Sequence, residues 1–300
     1  MSAGGNKWYI GIEDIIFTII IFIVTMSVTI VTLYPFLYIL FYSLSQPGMI
    51  RSGLLLYPKG FTYASYKLLF TGSQDIPNAL RISISRSILG PLLSLLVTSM
   101  GAYGLTKRDM PGRGFIAKYV LITMYFSSGM IPTYLLIKNL QLSGTFWVYI
   151  IPGLFSVFHM VLIRTYFENL PAELEESAII DGAGDFTVFL RIVLPLSMPV
   201  LAAVTLFSCV GHWNAYVDNL LYNASNKNLF TLQYVLMIFM DNIARTLSDF
   251  RNQTALSVAP PNPTTLKMAL TVITVTPILF VYPFLQRYFA KGILIGSIKG

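Results

Sequence analysis

The chain has 300 residues, of which 55% are hydrophobic and only 11% charged, and its mean hydropathy is +0.68. A soluble domain carries about 25% charged residues, so this composition excludes an ordinary soluble fold and points to a bilayer as the solvent for much of the surface. The single cysteine, Cys209, excludes a disulfide framework and a cysteine-based metal cluster, and the histidines His159 and His212 do not make a multi-histidine metal site by themselves. The formal net charge of +7 reads in such a chain as basic residues flanking spans, and a nucleic-acid partner is set aside.

A span takes about 20 mainly apolar residues, and stretches at 15–42, 87–105, 115–137, 146–164, 199–221 and 266–285 come close. They predict an all-α membrane protein, one domain over 1–300 with six transmembrane helices. The apolar run from Ile15 is too long for a signal peptide and is expected to remain as the first span. The second stretch is rich in small residues (Gly90, Ser94, Ser99, Gly101, Gly104) and contains Pro91. Small residues let helix backbones approach closely in lipid, so it is expected inside a bundle. The fifth turns polar at Gly211 and runs through His212, Trp213, Asn214, Tyr216 and Asp218. Such an end is costly against lipid and more natural facing protein or a water-filled cavity.

Six spans place both termini on one side, together with loops 106–114 and 165–198. Lys and Arg divide evenly between the two sides on this reading, so the positive-inside rule does not decide the orientation. The other side holds few acids (Asp75, Asp218, Asp241, Asp249) beside basic residues that include Arg81, Arg86, Lys138 and Lys227. Its positive field suits an anionic substrate, an acidic face of a binding protein, or anionic lipid.

Loop 165–198 is the most informative segment. Pro171 suits a first helical turn, and Glu173, Glu175 and Glu176 suit the positive end of a helix dipole. Asp181-Gly182 is a turn signal, glycine supplying the positive φ that ends helices. Phe186, Phe189, Leu190 and Val193 then recur at i, i+3, i+4 and i+7, one apolar face of a second helix before Pro195 and Pro199. Two short helices at a glycine turn fit an interfacial element on membrane lipid or a docking element for a soluble partner.

The run Glu175-Glu176-Ser177-Ala178-Ile179-Ile180-Asp181-Gly182-Ala183, followed by Ile192-Val193-Leu194-Pro195, resembles the EAA loop of ABC-importer permeases. It departs from the usual sugar-importer pattern only by Ser177 in place of an alanine. Tyr34-Pro35-Phe36, Gly129-Met130-Ile131-Pro132-Thr133-Tyr134, Gly211-His212-Trp213-Asn214 and Gln286-Arg287-Tyr288-Phe289 extend the likeness along nearly the whole chain. Together they are similar to the MalG-like half of carbohydrate-uptake type I importers, in the LplC/YtcP-type branch associated with complex or acidic oligosaccharides, alginate-type ones included.

The resemblance implies a type I permease fold and a multi-pass protein of the bacterial cytoplasmic membrane. It also implies a second homologous permease, two ATPase subunits, an extracytoplasmic solute-binding protein and an oligosaccharide substrate. The EAA loop (171–195) would seat in a groove of the ATPase, with Glu175, Glu176, Ser177, Ala178, Asp181, Gly182 and Ala183 as the coupling residues; the plainer reading of each glutamate is a solvated helix-start charge. The outer loop 222–265 would reach the binding protein and the tail 286–300 the ATPases, with both termini cytosolic. No G-x-x-x-x-G-K-[ST] occurs, so the chain is not expected to be an enzyme: it would have no catalytic residues, metal or cofactor of its own, and Mg-ATP would belong to the partner ATPase.

For the sugar path, Trp213, Asn214, Tyr216 and Asp218 supply aromatic faces and polar groups within a short run; the competing reading is an interfacial aromatic belt. His159 and Cys209 read as packing residues. The main rival function is an ion-coupled secondary sugar transporter, which should show inverted repeats and intramembrane acids. Neither is visible in the sequence.

Overall fold

A computed structural model of the chain describes residues 12–50, 53–71, 75–241 and 262–296, and within them the side chains from Glu13 to Pro283. The order is α1 (Ile12–Ser43), α2 (Ala64–Thr71), α3 (Asp75–Gly104), α4 (Arg113–Tyr125) and α5 (Met130–Asn139). Two 3-10 turns, Phe146–Tyr149 and Ile151–Gly153, lead into α6 (Val157–Glu168). Then come α7 (Ala172–Ile180), α8 (Asp185–Val188), a π turn (Phe189–Val193), α9 (Leu194–Leu196), α10 (Met198–Asn214) and α11 (Val217–Tyr222). A 3-10 turn (Lys227–Leu229), α12 (Leu232–Asp241) and α13 (Pro263–Gly296) complete the described chain. Among the described residues the only β feature is an isolated bridge between Ser45 and Phe61.

The described residues fall into two compact units, one within 1–68 and 256–272, the other within 69–255 and 273–300. In the first, α1 is apolar round its circumference, and none of its most apolar window is buried. Its Thr18 and Thr29 hydroxyls donate back to carbonyls four residues earlier, which satisfies them inside an apolar helix. Towards the end of α1 the rings of Tyr34, Tyr38 and Tyr42 line one face, with centroids 6.0 and 5.8 Å apart. Tyr34 Oη accepts a bond from Leu55 N, and Ser43 Oγ meets Tyr66 Oη at 2.6 Å.

In the second unit α3 packs along α10 and α6. The expectation for the small-residue stretch holds at Gly90, Pro91, Ser94 and Ser99, all buried on α3, while Gly101 and Gly104 are half-buried. Gly90 is required by close approach, since a Cβ there would lie 2.5 Å from the His212 ring. A second cluster joins Tyr103, Ile163, Phe167, Val188, Phe189, Val193, Leu201 and Val204 into one core.

The spans differ from the sequence expectation in four ways. α3 starts at Asp75, so Arg81 and Arg86 lie within the helix and not in a preceding loop. The stretch 115–137 is α4 and α5, which meet at 117° across residues 126–129. The stretch 146–164 is bent by 49° between the 3-10 turns and α6. The stretch 199–221 is α10 and α11, separated at 215–216. Among the described residues three helices are long and apolar enough to cross a membrane, and the number rises to six if each bent pair is one span, the third pair being Asp185–Leu196 with α10, bent by 81°. At the C-terminus the helix runs on through Gly296, so most of the expected tail is helical backbone; its side chains and residues 297–300, like 242–261 of the loop, lie outside the described residues.

Candidate functional site

The EAA-like loop forms the expected helix and turn, with Pro171 just ahead of the helix and not in its first turn. Glu173 and Glu175 fall in the first turn of α7, near the dipole's positive end. At the other end Gly182 has φ +84°. Its N–H donates to the Ile179 carbonyl at 3.0 Å and Ala183 N–H to the Ala178 carbonyl at 2.9 Å, the paired bonds of a Schellman cap. Asp181 is the exposed residue before the glycine, Ser177 Oγ donates to Glu173 O at 2.7 Å, and Ala178 and Ala183 pack against the core.

The two glutamates divide. Glu175 Oε2 accepts from Lys107 Nζ at 2.7 Å and from Tyr103 Oη at 3.4 Å, and Lys107 also meets Asp185 at 3.1 Å. Its carboxylate is therefore engaged within the chain. Burial alone would lower the Lys107 pKa, but bonds to Glu175, Tyr103 and Asp185 outweigh it and raise the pKa above its ordinary value. Glu176 is exposed and makes no ion pair among the described residues. Beside it stand Ile179 at 50%, Ile180 at 85% and Phe186 at 63% exposure. The expected single apolar face on 186–193 is not formed: Phe189 and Val193 are buried while Phe186 and Leu190 are exposed. The cause is the π turn at Phe189–Val193, which adds a residue to the turn and shifts the 3.6-residue register.

The polar end of the fifth span also divides. Trp213 is 7% exposed, and its indole N–H donates to Thr274 O at 3.0 Å. Asp218 receives the guanidinium of Arg86, which is 2% exposed on α3. Asn214 and Tyr216 are exposed. The four proposed path residues thus do not share a face: Trp213 and Asp218 turn into the bundle. Arg86 and Asp218, counted from the sequence among the outer-side charges, are a pair within it and cancel in any outward field.

The family described as "Binding-protein-dependent transport system inner membrane component" matches residues 11–295. The chain belongs to this family. As a permease it is similar, at 42% identity over 90% of each chain, to Protein LplC of Bacillus subtilis (strain 168). It is 35% identical to the Polygalacturonan/rhamnogalacturonan transport system permease protein YtcP of the same organism, over 95% of this chain and 99% of the relative. Among solved structures it matches, with TM-score 0.81 and 26% identity over 93% of this chain and 98% of the other, a chain of a bacterial ABC transporter involved in the import of the acidic polysaccharide alginate. These findings establish the all-helical type I permease fold and a transport role in place of the ion-coupled alternative.

Two residues central to the permease's geometry were not singled out from the sequence. Lys107 lies unremarked in loop 106–114, and Arg86 counts only among the charges of the outer side. A signal for Arg86 exists: Ile76, Ala79, Ser83, Arg86 and Gly90 are all buried on α3, and their three- and four-residue spacing marks one helical face starting well before residue 87.

Proposed function

We propose that the permease imports an anionic oligosaccharide across a bacterial cytoplasmic membrane, driven by a separate ATPase that docks on loop 171–195. The observation that carries this is the exposed crown of Glu176, Ile179, Ile180 and Phe186 around the Gly182 turn. Large apolar side chains displayed beside an unpaired carboxylate suit a protein groove with an apolar floor and a basic rim. On this reading Glu176 is the carboxylate offered to the ATPase, while Glu175 holds α7 to the permease through Lys107. An ATPase works in the cytosol, so the loop and both termini face inward. The complex has a second, homologous permease, two ATPase subunits and an extracytoplasmic binding protein, and the permease needs no metal or cofactor of its own.

The anionic substrate is supported by two relatives, named for polygalacturonan/rhamnogalacturonan and for the acidic polysaccharide alginate. Asn214 and Tyr216, exposed at the polar end of the fifth span, are the path residues on this reading. The test is uptake by the whole importer in proteoliposomes. ATP-dependent uptake of uronate oligomers that weakens at high salt is expected. Uptake of neutral glycans but not uronates would remove the acidic substrate, and ion-driven uptake by this chain alone would remove the ATPase.

A further inference from the structure

The fifth span is interrupted where Ala215 turns extended (φ −72°, ψ 130°) and Tyr216 leads into the short helix α11. Such a break leaves carbonyls at the end of α10 without helical partners. A six-residue helix is also too short to hold itself. Arg86 answers both needs from α3. Its Nη1 donates to the Ala215 carbonyl and to Asp218 Oδ1, each at 3.2 Å, and its Nη2 pairs with Asp218 Oδ2. Its guanidinium lies 4.5 Å from the centre of the Tyr149 ring, and Tyr149 Oη donates to Leu229 O at 2.7 Å.

The same face of α3 grips the chain beyond α11. Ser83 Oγ accepts from Leu232 N at 2.7 Å, and Asn78 donates to Asn228 O at 2.8 Å. Asn219 Oδ1 accepts from Thr231 N at 2.7 Å, which ties α11 to that segment. At its other end α3 presents Tyr103, whose ring packs 5.1 Å from Phe189 and 6.4 Å from Phe167. Just beyond, Lys107 holds Glu175 and Asp185. One helix, about 45 Å long at 1.5 Å per residue, thus joins the EAA-like loop to the break in the fifth span.

We propose that Arg86 and Asp218 are positioning residues for translocation. They fasten 215–222, and with it the exposed Asn214 and Tyr216, to α3, so that displacement of the EAA-like loop is delivered to that polar end through one helix. A buried ion pair is weak evidence for stability, since apolar pairs of similar volume often do as well. What the guanidinium fork adds is orientation: two parallel bonds to one carboxylate plus a third to the backbone admit a single arrangement. The inference rests on the ATP-driven reading above.

The experiment uses the complete importer in liposomes, with Asp218→Asn, with Arg86→Lys, and with the apolar pair Arg86→Met and Asp218→Leu. Yield of assembled complex is measured beside the ratio of ATPase rates with and without binding protein and oligosaccharide. The apolar pair is expected to assemble at wild-type yield while that ratio falls about tenfold. Arg86→Lys, which keeps the charge but loses the fork, is expected to fall between. A wild-type ratio per assembled complex in the apolar pair would overturn the positioning role and leave the importer reading intact. Absence of any stimulation in the wild-type complex would instead strike the importer reading.

Discussion

Gly182 shows how far one residue can decide a local structure. Its φ of +84° is a conformation that L side chains rarely adopt, and a Cβ added there meets nothing within 4 Å. The penalty of Gly182→Ala is therefore conformational and not steric, about 1 kcal/mol. We expect the variant to assemble into the importer but to show weakened ATPase association, read as a lower yield of ATPase on affinity-purified permease. Unchanged association would mean that the loop tolerates another turn. This residue was legible in the sequence because the turn is local: Asp-Gly and the preceding helix lie within a few positions. Arg86 was not, because its meaning depends on Asp218, 132 positions away. Glu175 lies between these cases. Its place near the helix start was readable, but its partner Lys107 lies on another loop, and so the carboxylate offered outward is Glu176.

Among the elements, the clamp between α7 and the end of α3 has a defined pH response. The Lys107 pKa is raised in the folded protein, so the stabilisation is complete below the ordinary lysine value and is lost only as pH rises through the raised one. From about pH 6 to about pH 9 the clamp should not weaken. Lys107→Ala, by contrast, removes it at every pH and leaves Glu175 with the Tyr103 hydroxyl alone, a loss of about 1 kcal/mol for a pair whose side chains are 23% and 26% exposed. Thermal unfolding of the purified permease across that pH range checks both statements. A wild-type midpoint that drops by pH 9 while Lys107→Ala stays flat would contradict them. The helical breaks were less legible than the helices. Hydropathy averages across 126–129 and 154–156, because the apolar residues on either side outweigh Ser127, Ser128, Gly129 and Ser156 in a window of span length. A π turn at Phe189–Val193 leaves no mark on an i, i+3, i+4 pattern that it then shifts. Composition shows where lipid is tolerated, whereas a bend is decided by the packing of neighbouring helices.

At the scale of the whole molecule, α1 and α3 illustrate two solutions to an apolar solvent. α1 exposes large side chains all round, as lipid or a second permease allows; α3 buries small and polar residues, as a bundle interior requires. The bend of 117° between α4 and α5 sets the remaining choice, because such a pair either crosses the membrane as one broken span or re-enters and leaves by the same side. The importer reading needs the crossing, since only an odd number of spans between residue 57 and residue 176 puts the EAA-like loop opposite the loop after α1. Cys209 is the single cysteine, so Cys209→Ser gives a clean background for Tyr57→Cys, a position 64% exposed, and for Glu176→Cys on the exposed loop. A membrane-impermeant maleimide should label Tyr57→Cys in right-side-out vesicles and Glu176→Cys only in inside-out ones. Labelling of both from the same side would make α4 and α5 a re-entrant pair, and would take the EAA-like loop away from the cytosol or the first loop away from the outside.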